Sequence, residues 1–144
     1  MTGSTVPDFF QEETESALRE QVEWFVREVG VDDTFFGRLL RREPATFAEW
    51  RVSRAPLSPD DVQTLRDLWH TNLHLLSFLN FQEARVRELF QQFLPAPRRG
   101  EGSPLAPPWS GSTLRGFLES GGANAVDQVN RWVTGLRFGD PYAV

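Results

Sequence analysis

Residues 58–79, SPDDVQTLRDLWHTNLHLLSFL, are the stretch on which the fold turns. Ser58 offers a capping hydroxyl, Pro59 suits the first helical turn, and Asp60 and Asp61 face the positive end of the helix dipole. Behind this start Leu65, Leu68, Trp69, Leu76 and Leu79 form one helical stripe, which Leu75 and Phe78 widen. A stripe that broad is buried on more than one side, so the spacing predicts the central helix of an all-helical core.

Working back toward the N-terminus, Leu18, Val22, Phe25 and Val29 recur at spacings of three and four from about Gln11, with Gly30 as a natural stop. Asp32 then caps a short helix that turns Phe35, Phe36, Leu39 and Leu40 inward. Glu43-Pro44 breaks it, because a residue before proline is pushed out of helical geometry. A third short helix is predicted from about Thr46 to Arg54, with Phe47 and Trp50 on its inner face. Working forward, a fifth helix from about Gln82 to Phe93 buries Val86, Leu89, Phe90 and Phe93. Residues 95–111, PAPRRGEGSPLAPPWSG, are too rich in proline and glycine for a helix or a central strand and read as a surface linker. Two helices close the chain: about Ser112–Ser120, carrying Leu114, Phe117 and Leu118, and about Asn124–Leu136, carrying Val126, Val129, Trp132 and Val133. Gly121-Gly122 turns between them.

The expected fold is therefore all-α: a helical bundle containing a helix-turn-helix, followed by a small C-terminal helical module. The boundaries are 1–94 for the helical domain, with the helix-turn-helix at about 32–54, then 95–111 for the linker and 112–144 for the module. Leu65, Leu68, Trp69, Leu76, Phe90 and Trp50 are expected in the core.

Composition narrows the class of function. The 144 residues are 40% hydrophobic and 24% charged, a globular mixture. No apolar run approaches the roughly 18 residues of a membrane span, and the start of the chain lacks the basic-then-apolar order of a secretion signal. Cysteine is absent, which excludes disulfides and thiolate metal sites and permits a reducing compartment; the expected location is cytoplasmic. The net charge is −5, which argues against nucleic-acid binding until its distribution is read. Residues 1–31 hold seven acids against two arginines, whereas residues 32–57 hold four acids against five arginines. One short stretch is thus locally basic.

Catalysis has no support in the residues. His70 and His74 lie four apart on the central helix, but Thr71 stands where the zinc-protease pattern needs glutamate, and they read as polar residues flanking a core stripe. No serine occupies a nucleophile elbow, and the paired carboxylates lie near helix starts, where acids are expected anyway. No catalytic residue, metal or cofactor is expected. The segment 31–57 says more. A short helix, a tight break and a second short helix match helix-turn-helix dimensions. With Phe47 and Trp50 inward, Thr46, Glu49, Arg51, Ser53 and Arg54 are left outside or on the flanks as candidate DNA contacts, arginine being able to fork onto guanine or clamp phosphate.

Three places, taken in order, resemble the Xre/MbcA/ParS antitoxins that pair with RES-domain toxins. Thr46-Phe47-Ala48-Glu49-Trp50-Arg51 is similar to that family's recognition helix. Leu65–Leu79 with Gln82–Phe93 resembles the long and short helices that follow it. Pro108-Trp109-Ser110-Gly111-Ser112-Thr113-Leu114, then Gly122 and Val126-Asp127-Gln128-Val129, is similar to the family's small toxin-binding domain. The family's usual proline is replaced by Thr113, and the chain runs on past Gly135. The resemblance implies an antitoxin whose C-terminal region covers the NAD-binding cleft of a cognate RES-type toxin, an NAD-degrading or ADP-ribosylating enzyme. Its helix-turn-helix would bind operator DNA and repress its own operon, and the protein would be a homo-oligomer, a dimer. On that reading Arg137, Phe138, Asp140 and Tyr142 lie at the toxin's cleft, with Arg115 and Trp132 shaping the module beneath them. Two alternatives stand beside it: a stand-alone helix-turn-helix transcriptional regulator, and a helical interaction protein that does not bind DNA.

Overall fold

The computed structural model describes residues 5–53, 57–80, 82–95 and 106–137. Six helical elements follow in order: α1 (Thr5–Trp24), which runs on through a π turn at Phe25–Val29, then α2 (Asp33–Leu40), α3 (Pro44–Ser53), α4 (Pro59–Phe78), α5 (Glu83–Gln91) and α6 (Leu114–Arg137). No strand occurs among the described residues, so the fold is all-α as the periodicity predicts. No helix among them is long and apolar enough to cross a membrane.

The local signals act where they stand in the sequence. Asp32 accepts a hydrogen bond from Phe35 N–H at 3.0 Å and starts α2. Ser58 accepts one from Asp61 N–H at 3.2 Å and starts α4. Gly30 takes φ 85° and closes the π turn by donating its N–H to Phe25 O, a left-handed conformation that glycine reaches without strain. The α2–α3 connection needs glycine for a different reason. A Cβ at Gly37 would stand 2.8 Å from Arg42 O, so the chain can double back there only because residue 37 has no side chain.

One hydrophobic core takes in residues from every helix. Helix α4 packs against α1, α5 and α6, the central position its broad stripe implies. Its Leu65, Leu68, Leu75 and Leu76 are buried, as are Trp50 and Phe90. Trp69 is only partly buried, at the rim, where it meets Trp24 edge-on at 5.5 Å. Two expectations fail: Phe78 is 54% exposed and Phe93 61% exposed. Phe78 is the last residue of α4, and Phe93 lies two residues past the end of α5.

The last part of the chain is the expected pair of helices, run together as α6. The two halves meet at Gly122, where φ 59° and ψ −138° leave helical geometry at the predicted turn. Both halves pack into the common core, and α6 contacts α2 and α4 extensively. Within the stretch expected to cross the surface, Trp109 is buried at 1% exposure and meets Trp132 edge-on at 5.1 Å. The stretch is also pinned at its ends. Leu94 N–H donates to Ser112 O at 2.9 Å, and Gly111 N–H donates to Leu94 O at 2.7 Å.

Candidate functional site

The candidate DNA contacts sit on and after α3. Phe47 and Trp50 are buried, with Phe47 stacked on Phe36 at 4.9 Å, so the inner face is the expected one. Thr46 and Glu49 are not buried. The Ser53 side chain and all of Arg54 lie outside the described residues.

Arg51 is held by its own chain. Its guanidinium donates to both carboxylate oxygens of Glu23 on α1, at 2.8 and 2.9 Å, and to Asp33 Oδ1 on α2 at 2.7 Å. Its side chain is 20% exposed. Burial works against the guanidinium charge, but the bonds to Asp33 and Glu23 and their opposite charges outweigh it and raise the Arg51 pKa above the usual arginine value. A fork with both prongs on carboxylates must give them up before it reads a base.

Three other arginines of the locally basic stretch, Arg38, Arg41 and Arg42, are also engaged. Arg38 pairs with Glu119 on α6 at 2.9 Å. Arg42 pairs with Asp61 at the start of α4 at 3.0 Å. Arg41, left-handed at φ 59°, donates to Glu119 O at 3.1 Å and to Ser120 O. It thereby caps the carbonyls left open where the first half of α6 ends. Four of the five arginines at 32–57 thus bond to neighbouring helices, although the Arg38 and Arg42 side chains stay 64% and 47% exposed.

The second candidate region is α6. Arg115 donates to Glu119 Oε1 at 2.8 Å and to Asp32 Oδ1 at 3.2 Å, joining the first turns of α6 to the cap of α2. Trp132 is 8% exposed, against Trp109. Arg115 and Trp132 therefore serve different joints, one to α2 and one to the segment before α6. Arg137 ends α6, and its side chain, together with Phe138, Asp140 and Tyr142, lies outside the described residues.

Sequence reasoning did not single out Arg41. An arginine at a helix end carries no signal of which distant carbonyls it will reach. Gly122 was legible as a turn but not as a contact. A Cβ there would come within 3.0 Å of Leu39 O, so glycine is what lets the kink rest against α2. Among the described residues no group of three or more histidines, cysteines or acids could hold a metal ion. Compared with known proteins, the chain matches no described family, no curated protein and no solved structure.

Proposed function

We propose that this chain is an antitoxin-like binding protein that holds a RES-type toxin through its C-terminal region. The observation that carries the reading is the anchorage of α6. Leu114 and Leu118 on one side of the kink, and Val126, Val129 and Val133 on the other, are all buried in the common core. Helix α6 is therefore held in the core as far as Val133, and residues 138–144 follow it directly in the sequence. A segment delivered from a fixed point has less freedom to lose on docking than one hung from a loose end. The residues that follow, Phe138, Asp140 and Tyr142, include the aromatic types that anchor interfaces. The order of elements, two short helices, a long one, a short one and a kinked last one, supports the resemblance described above.

The test is co-expression in the cytoplasm of a bacterial host with the RES-type toxin of the neighbouring gene. The full chain is expected to restore growth and cellular NAD, and to co-purify with the toxin. A chain ending at residue 136 is expected to keep its helical signal and to lose protection. If the full chain neither binds nor protects, the proposal is wrong. Sedimentation of the free chain reads the dimer that the same resemblance implies.

A second reading is favoured by Arg51: the α2–α3 pair serves the fold, and the protein acts through partners without touching DNA. Clamped by Glu23 and Asp33, Arg51 is not presented as a base reader. An operator shift by the chain or its complex at low salt, lost steeply as salt rises, is the result that favours autoregulation instead.

A further inference from the structure

Trp24, at the end of α1, and Trp69, on α4, meet edge-on with ring centroids 5.5 Å apart and an interplanar angle of 81°. Neither is fully covered by the core, and both line an open groove of about 600 Å³ together with Ala17 and Glu20. Glu20 lies one helical turn before Trp24, on the same face of α1. Two partly covered indoles in one concavity leave aromatic surface in water, where an interface anchor gains most. Three arginines also line the groove, and each is engaged. Arg51 is forked onto Glu23 and bonded to Asp33. Arg27 pairs with Glu28 at 3.3 Å, and Arg19 lies over the Trp50 ring at 4.9 Å while donating to Trp50 O. Glu20 is exposed and has no ion pair among the described residues. With these partners included, three guanidiniums stand against four carboxylates, Glu20, Glu23, Glu28 and Asp33. The wider surroundings are more acidic still, since residues 1–31 hold seven acids against two arginines.

We infer that this groove is a docking site for a basic segment of a partner protein, whose arginine or lysine side chain lies against Trp24 and Trp69 with its charge toward Glu20. An indole attracts a cation through its ring quadrupole, the more so once water is displaced. Arg19 on Trp50 is the same contact made inside the chain. The Glu20 carboxylate adds a charge-assisted hydrogen bond, which holds the cation in one place. The acidic first helix supplies the longer-range attraction, so a basic partner is drawn in and an acidic one repelled. At about 600 Å³ the groove exceeds the size of one ammonium group and takes a side chain with its neighbours. No residue of α6 lines it, so the site is separate from the C-terminal one proposed above.

The experiment is a titration of the full chain with a short arginine-rich peptide, followed by NMR of the tryptophan indole N–H groups. A matched peptide with glutamate in place of arginine is the control. The Trp24 and Trp69 signals are expected to shift and saturate with the arginine peptide alone, while those of Trp109 and Trp132 stay in place. Glu20→Gln, at an exposed position, is expected to keep its helical signal and to bind about threefold more weakly. The lack of a saturable shift overturns the inference, and so do equal shifts with both peptides or a Glu20→Gln chain that binds as tightly as the native one. Shifts of Trp24 and Trp69 that appear on concentrating the chain alone give the groove to a second copy and overturn it too.

Discussion

Two regions of one core are filled in different ways. Around α1, α2, α3 and α5 the filling is aromatic: Phe25, Phe35, Phe36, Phe47, Trp50 and Phe90 are all fully buried, and their rings touch in an almost unbroken chain. Between α4 and α6 the filling is leucine and valine, and the buried residues of α4 include Asp61, Thr64, Thr71 and Asn72. Large flat rings lock one another in few arrangements, and their pairwise contacts add to what burial alone supplies. Short aliphatic chains around polar groups constrain their neighbours less tightly. Under the proposed function, the first half would be the rigid base and the last helix would carry the partner-binding end.

The comparison breaks first at its strongest point. Phe36→Ala removes the ring stacked on Phe47 and opens a cavity, and is expected to cost about 3 to 5 kcal/mol in urea unfolding. A loss under about 1 kcal/mol would mean that the aromatic half is not the rigid base. Gly122→Ala puts a side chain at φ 59° beside Leu39 O, and is expected to cost about 1 to 3 kcal/mol, read as a lowered melting temperature. An unchanged melting temperature would show that the joint yields even more readily than its filling suggests.

Arg51→Ala is expected to cost about 1 kcal/mol, because it leaves Glu23 and Asp33 without their shared partner in a half-exposed setting. If stability holds while an operator shift is lost, Arg51 belongs to a DNA surface after all. Val52→Ser should change stability by less than about 0.5 kcal/mol, since Val52 is 84% exposed on α3. Should that substitution instead weaken binding to a partner, the outer face of α3 joins the partner-binding end.

Much of the fold was legible because its signals are local. The caps at Asp32 and Ser58, the stop at Gly30 and the break before Pro44 depend on residues within a few positions of each other. Exposure at helix ends was not legible: the periodic pattern carries Phe78 and Phe93 inward, but it does not say where α4 and α5 stop. The locally basic stretch was correctly counted, but the count leaves out the carboxylates its arginines meet. Charge counting cannot see Glu23, Asp61 and Glu119 brought onto Arg51, Arg42 and Arg38 from outside the stretch. Trp109 had a usable signal, a single large aromatic amid prolines, where only burial gives such a residue a role.

The pair of backbone bonds joining Leu94 to Gly111 and Ser112 has a practical consequence for anyone who wishes to engineer this chain. Where backbone bonds clasp the two sides of a connection, the length between them is uncoupled from the geometry of what it connects. Doubling such a loop adds only about 0.6 kcal/mol of closure entropy. A fluorescent domain or an affinity tag inserted between Leu94 and Gly111 is therefore expected to leave the clasp intact and both ends of the chain native.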